Sequence, residues 1–318
     1  MRRRFVAFSL VPVAALGFAG PALASNGGIS PVNPVSPNAG RITDAYWLIL
    51  IVTGAIFLIV ETVLVTFIIR FRRRGRPRNA DGPQIHGATK LEVIWTVIPV
   101  LIIAGIVSFV FYKLPGIKDP PSANASDRLN VKVEAHQFYW RFIYPDGSES
   151  INVLRVPVDR VVTLDLTSAD VIHSWWVPAL GGKTDTIPGK TNHTWFQAKR
   201  VGVYPIRCAE FCGIQHAAMH GFVEVTRGGA QPPSGEELGK QVVQGVCASC
   251  HGFRLEGLIG PTIASNPTLD DAKGLRTLLR NGFGKMPAVG KTWDDRLLNS
   301  TTAYLKAHYG AGGGTSGG

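Results

Sequence analysis

The sequence predicts a multi-domain membrane protein with a two-helix transmembrane hairpin, a Greek-key β-sandwich and an all-α C-terminal domain. Three observations carry this. Two apolar runs, 46–69 and 93–112, are each long enough to cross a bilayer at about 1.5 Å rise per residue. From 129 to 225 the pattern shifts to short β-branched and aromatic runs separated by Pro, Gly, Asn and Asp. Beyond 235 it shifts again, to helical runs at 236–246, 272–280 and 294–308.

The elements follow in chain order. Arg2, Arg3 and Arg4 precede an apolar stretch, and Ala22-Leu23-Ala24 before Ser25 offers a small-residue cleavage site, so residues 1–24 read as an export signal. Pro12, Gly17, Gly20 and Pro21 make that stretch a poor spanning helix. Residues 25–42, rich in Gly, Asn, Pro and Ser, read as a flexible outer segment.

The transmembrane hairpin spans 43–114, with an inner loop at 70–90. That loop holds Arg70, Arg72, Arg73, Arg74, Arg76, Arg78 and Lys90 against one acid, Asp81. Loop and leader carry most of the formal net charge of +11. The basicity is therefore a topology signal that keeps the loop inside and both long ends outside. It is no nucleic-acid footprint, and at 45% hydrophobic and 17% charged residues the chain is no disordered polymer either. Glu61 falls within the first helix, where a carboxylate should face protein or water. Glu92 sits at the inner mouth of the second, either as an interfacial carboxylate or as a proton-uptake residue for a partner.

The sandwich spans 126–228, with strands expected at 129–134, 138–144, 151–156, 161–166, 193–198 and 221–225. It contains Cys208-Ala-Glu210-Phe-Cys212-Gly-Ile-Gln-His216-Ala-Ala-Met219, and upstream His173-Ser174-Trp175. Two thiols, two imidazoles and a thioether form a soft donor set that favours copper. One thiolate would suit a mononuclear site, and a second allows both sulfurs to bridge two coppers. A zinc site is disfavoured because Met is a poor zinc ligand. An inert Cys208–Cys212 disulfide is the remaining alternative, since export places the chain where thiols oxidise. His136, His193, His220 and His308 are given no metal role.

After a linker at 229–235, the domain at 236–309 carries Cys247-Ala-Ser-Cys250-His251, the C-x-x-C-H pattern of covalent haem c attachment. A thioredoxin-like or disulfide pair is the alternative. His251 would bind iron on one face, and Met286 is the candidate for the other. A His/Met pair suits electron transfer. All four cysteines and both internal methionines are thereby assigned to two redox centres. Residues 310–318 read as a disordered tail.

With those residues in view, the chain resembles subunit II of haem–copper cytochrome c oxidases in the fused form of caa-type enzymes. The resemblance covers 40–228 for subunit II and 235–310 for the cytochrome. It rests on C-x-E-x-C-x3-H-x2-M with the upstream His-Ser-Trp, on Leu91-Glu92-Val-Ile-Trp95-Thr96, and on Lys183-Thr184-Asp185 with Pro188-Gly189. It implies a cupredoxin-like sandwich and a class I cytochrome c domain. Cys208 and Cys212 would bridge a binuclear CuA centre, with His173 and Met219 completing one copper and His216 and the Glu210 carbonyl the other. The Glu210 carboxylate would reach a magnesium or manganese ion shared with subunit I. Glu92 would lie near the mouth of a proton channel.

The implied function is electron input. Single electrons would pass from cytochrome c or a cytochrome bc-type complex through haem c and CuA to subunit I, where O2 becomes water and protons are pumped. The implied partners are subunits I and III and the lipid bilayer, with no nucleic acid, in a bacterial plasma membrane with both redox domains outside. The alternative is a membrane-anchored copper and haem electron carrier acting without an oxidase. One departure stands out: the family's G-H-Q-W-Y-W stretch is Ala135-His-Gln-Phe138-Tyr-Trp140 here. Phe138 thus replaces the tryptophan through which a soluble donor delivers its electron, a need that a tethered haem domain would relax.

Overall fold

The computed structural model describes residues 31–72, 75, 82, 84, 86–122, 127–229 and 233–310. The export signal, most of the inner loop and the C-terminal tail read from the sequence lie outside the described residues. Two compact units emerge: residues 40–117, and residues 34–39 together with 118 onward.

The first unit is built on helices Pro37–Arg70 and Thr89–Lys113, which carry apolar stretches of mean hydropathy 2.7 and 2.6. Their hydroxyls bond to carbonyls of their own helix: Thr53 donates to Ile49, Thr62 to Leu58, Thr66 to Thr62, Thr96 to Glu92 and Ser108 to Ala104. In hydrocarbon a polar group must be satisfied internally, and these are. Lys113 and Asp44 pair at 2.6 Å. Glu61 is exposed on the first helix. Glu92 lies in the opening turn of the second, where Oε1 accepts from the Ala88 N–H at 3.3 Å.

Both helices are longer than their apolar runs. The first begins at Pro37, which corrects the expectation of a flexible segment through 42. Residues 34–39 group with the second unit. The Val35 N–H donates to Ala179 O, Val35 O accepts from Lys199 N–H, and Asn38 Nδ2 donates to Trp195 O at 2.7 Å. Val35, Ser36, Asn38 and Ala39 are buried. Composition suggested mobility, but long-range partners for these short polar side chains supply order that composition does not reveal.

In the second unit, two five-stranded sheets face each other. One has the order β3-β2-β1-β5-β8, from Glu149–Ile151, Tyr139–Ile143, Arg128–His136, Val161–Ser168 and Asn192–Phe196. The other has the order β4-β10-β9-β6-β7, from Val153–Pro157, His220–Thr226, Gly202–Cys208, His173–Trp176 and Thr184–Thr186. β1 pairs parallel to β5, and β10 parallel to β4; the other pairings are antiparallel. Alternate residues point inward, as in β5, where Val162, Leu164 and Leu166 are fully buried. Trp140, Phe142, Leu154, Ile206 and Val223 join them between the sheets.

The run expected as one strand at 151–156 is split at Asn152, whose φ is +60°. Chain that belongs to one sheet before Asn152 belongs to the other after it. Asn tolerates this left-handed conformation better than most residues. Its N–H donates to Trp140 O, its Oδ1 accepts from Trp140 N–H at 2.8 Å, and its carbonyl accepts from Phe222 N–H at 2.7 Å. β7 and β9 were not anticipated. They are short, or interrupted by Pro205, and their pattern is weak.

The C-terminal part is helical. Ser234, Asp271 and Asp294 cap helices Gly235–Val242, Ala272–Asn281 and Asp295–Tyr309 by accepting backbone N–H groups of the first turn. The first of these runs on through a π-helical turn at Val243–Cys247 into Ala248–His251. It crosses the last helix at Gly239, where an added Cβ would come within 2.3 Å of the Ser300 carbonyl oxygen.

The sandwich and these helices are joined by specific contacts. Gln241 Oε1 accepts the Ile151 N–H on the edge strand β3 at 3.1 Å. Arg155 Nε pairs with Glu224 at 2.8 Å, and its guanidinium also bonds Glu237. Arg141, 6% exposed, holds Glu149 by two bonds of 2.6 and 3.1 Å and Glu134 by one of 3.0 Å, and donates to Thr292 O. Tyr139 and Ile151 of the sandwich lie in the same apolar cluster as Leu238, Leu275 and Leu297.

Candidate metal centre and adjoining cavity

β6 and β9 are neighbours, with Trp175 opposite Cys208. His173 lies two residues before Trp175 and therefore on the same face of β6. The chain leaves β9 at Cys208 and returns to β10 after Met219, and the Cys208 N–H donates to Met219 O at 3.2 Å. The loop is thus pinned at both ends and folded over His173, with the Ala209 N–H donating to Ser174 O.

This brings the whole predicted donor set together. The ligand atoms of His173, Cys208 and Cys212 lie within 4.8 Å of one another. The two Sγ atoms are 3.8 Å apart. His173 Nδ1 is 3.1 Å from Met219 Sδ and 3.8 Å from Cys208 Sγ. His216 Nδ1 is 3.5 Å from Cys212 Sγ, and the Glu210 carbonyl oxygen is 3.2 Å from Cys208 Sγ. His173, Cys208, Cys212 and Met219 are buried, whereas Glu210 is exposed.

The thiols sit in unequal fields. Burial opposes ionisation of Cys208, but hydrogen bonding from His173 and at the Glu210 and Ser174 backbone prevails, and its pKa falls to about 6. Burial and the neighbouring Cys208 charge push Cys212 up to about 12. A cation bound between them would favour the ionised form of both. Burial works against protonated His173, and the Asp170 carboxylate outweighs it, so its pKa is raised. Asp170 Oδ1 is 2.8 Å from His173 Nε2, leaving Nδ1 for the cluster. A ligating histidine that gives its other nitrogen to a carboxylate is held in ring orientation and tautomer.

The C-x-x-C-H residues and Met286 meet elsewhere in the same unit. Cys247, Cys250, His251 and Met286 all line one cavity of about 300 Å³. Its remaining walls are mostly apolar, with Leu269, Leu275, Leu279 and Leu305 among them. His251 is 8% exposed and its Nδ1 lies 2.7 Å from Pro261 O, so Nε2 is the nitrogen left for a ligand. A Cβ at Gly260 would come within 2.8 Å of that ring. Two sandwich residues, Gln137 and Phe138, also line the cavity.

Three polar residues at these sites carry no metal-ligand pattern and were not anticipated. Asp170 is one. Gln137 donates from its main chain to Asp170 Oδ2 at 2.7 Å and from its side chain to Cys212 O at 2.6 Å. Gln215 donates from Nε2 to Ser249 O at 2.6 Å. For Asp170 and Gln215 proximity to His173 and His216 in sequence was the only hint, and for Gln137 its place in the Ala135–Trp140 stretch.

A two-helix anchor followed by a cupredoxin-like sandwich with a buried Cys/His/Met cluster defines a membrane-anchored protein with a CuA-like site. Residues 25–112 match the family model for cytochrome c oxidase subunit II, transmembrane domain, and residues 148–226 that for its periplasmic domain. Residues 235–305 match a different family, cytochrome c oxidase, cbb3-type, subunit III. A probable cytochrome c oxidase subunit 2 of Rickettsia bellii is 32% identical over 247 residues, covering 71% of this chain and 88% of that protein. A cytochrome c oxidase subunit 2 of Alkalihalophilus pseudofirmus is 37% identical over 195 residues, covering 60% of this chain and 56% of that one. The chain thus spans little more than half the length of this second relative. A quinol oxidase subunit 2 of Bacillus subtilis is 35% identical over 199 residues, covering 61% of each chain.

The chain belongs to the cytochrome c oxidase subunit II family. It is a multi-pass bacterial membrane protein with an extracytoplasmic domain.

Proposed function

We propose that this subunit is the electron-input chain of an aerobic cytochrome c oxidase and that its C-terminal helices are a fused class I cytochrome c domain. In this reading 126–228 is the copper domain and 236–309 the haem domain. The observation that carries it is the convergence of Cys247, Cys250, His251 and Met286 on one apolar cavity, walled on one side by Gln137 and Phe138 of the sandwich.

The residues fit both groups. Cys247 and Cys250 would attach haem c covalently, with His251 and Met286 as candidate ligands to its iron. Cys208, Cys212, His173, His216, Met219 and the Glu210 carbonyl would hold the copper centre. When bound, the two groups accept and release single electrons. The chain holds their ligands rigid, through β6, β9 and β10 on the copper side and the apolar helix core on the haem side. It also excludes water and presents one site beside the other. The donor would be cytochrome c or a cytochrome bc-type complex, and the acceptor subunit I, with subunit III completing the assembly. The exposed Glu210 carboxylate would reach a magnesium or manganese ion at the subunit I boundary, and Glu92 would serve proton uptake.

The test uses membranes containing the full complex. Oxygen uptake driven by reduced cytochrome c should co-purify with this chain and with its covalent haem. Cys250→Ala or Met286→Ala should abolish donor-driven uptake. Uptake that survives loss of the haem would confine the function to the copper domain. A chain that purifies with both chromophores but without other subunits would instead be a free-standing carrier.

A further inference from the structure

The shortest polar contact between the two ligand-bearing segments joins Gln215 to Ser249. Gln215 immediately precedes His216, and Ser249 immediately precedes Cys250. The Gln215 amide donates from Nε2 to the Ser249 carbonyl at 2.6 Å. Because the acceptor is a carbonyl, only the NH2 end of the amide can face it. The other end, Oε1, is buried with no hydrogen-bond partner among the described residues. The bond to Ser249 is therefore the one polar contact the side chain makes among the described residues.

We propose that the Gln215–Ser249 hydrogen bond is the coupling contact through which an electron crosses from the haem segment to the copper loop. This rests on the reading of the C-terminal helices as a haem c domain. One electron crosses, haem iron passing from ferrous to ferric and the oxidised copper pair gaining the charge, with no bond made or broken and no proton moved. Electron tunnelling decays less steeply along covalent and hydrogen bonds than across a gap. The path from Cys250 through the Ser249 carbonyl and the Gln215 amide to His216 is bonded throughout. Gln137 supports it by holding the Cys212 carbonyl at 2.6 Å from a position on the cavity wall. Phe138 lines the same cavity and offers no comparable bonded connection. Gln215 is a positioning residue; it ligates neither group.

The test compares full-length, haem-matured, copper-loaded chains. After flash photoreduction of the haem, Gln215→Met should slow intramolecular electron transfer by about tenfold or more. Spectra and reduction potentials of both centres should stay at wild-type values, as should hydrogen exchange at the Gln241–Ile151 contact. Glu237→Gln, which weakens a different contact of the joint, should leave the rate unchanged. A wild-type rate in Gln215→Met would overturn the proposal. So would a slowed rate accompanied by raised exchange across the whole joint, because that is undocking. A wild-type chain without covalent haem would overturn the haem reading itself and this proposal with it.

Discussion

Asp170 Oδ1 sits 2.8 Å from Nε2 of His173, and its other oxygen accepts the main-chain N–H of Gln137. One carboxylate therefore orients a cluster histidine and fixes the strand end that reaches the neighbouring cavity. Asp170→Asn should keep the fold but weaken copper retention about 10- to 100-fold, the usual consequence of losing the carboxylate behind a ligating histidine. Competition with a chelator of known affinity measures this.

Asn152 makes a two-variant prediction. Its φ of +60° is poorly tolerated by alanine and freely adopted by glycine, while both substitutions lose the Trp140 N–H bond. Asn152→Ala should cost about 2 kcal/mol, combining left-handed strain with a lost bond, and Asn152→Gly about 1 kcal/mol. Urea unfolding of the extramembranous portion would order them. Equal losses would mean that φ plays no part.

Gly239→Ala sets two effects against each other. Alanine gains up to about 1 kcal/mol of helix propensity. The new Cβ, however, meets the Ser300 carbonyl oxygen at 2.3 Å, a backbone atom that cannot rotate aside. Overpacking should win, destabilising the C-terminal helices by about 1–3 kcal/mol while leaving the copper cluster intact. Thermal melting followed separately at haem and copper absorptions distinguishes the two parts.

The joint should loosen in acid. Hydrogen bonding from Arg155 holds the Glu237 carboxyl below its ordinary 4.5. A depressed folded pKa gives stability that is fully present above the unfolded value and is lost as pH falls through the folded one. Proteolytic cleavage in the 228–234 joint should therefore accelerate below about pH 4.5. In Glu237→Gln the joint should be cleaved faster at neutral pH and lose much of that acid dependence.

Phe138→Trp bears on the departure from the family pattern. If bonded coupling runs through Gln215, restoring tryptophan should leave the haem-to-copper rate within about twofold of wild type. A large gain would show that the aromatic ring, and not the amide, limits transfer.

Much of this was legible in the sequence, because ligand chemistry and membrane burial leave local traces. Cys208, Cys212, His216 and Met219 fall within one loop, and the apolar runs declare the helices. The elements that were missed depend on distant partners. β7 is only three residues long, so no alternation marks it. Asn152 breaks a strand by a conformation that composition does not encode. Residues 34–39 are ordered by bonds to Trp195 and Ala179, more than 140 positions away. Asp170, Gln137 and Gln215 act on ligands without being ligands, and only the folded chain places them.

The most direct measurement of two redox centres in one chain is low-temperature EPR with a pyridine haemochrome assay and metal analysis on the full-length, copper-loaded, haem-matured protein. Hyperfine structure from one electron shared over two copper nuclei is expected, together with a covalent low-spin haem c, both in stoichiometric yield. A single-copper pattern, or a folded protein that takes up no copper, would contradict the copper assignment. A correctly folded chain whose Cys247 and Cys250 remain free thiols after maturation would contradict the haem assignment.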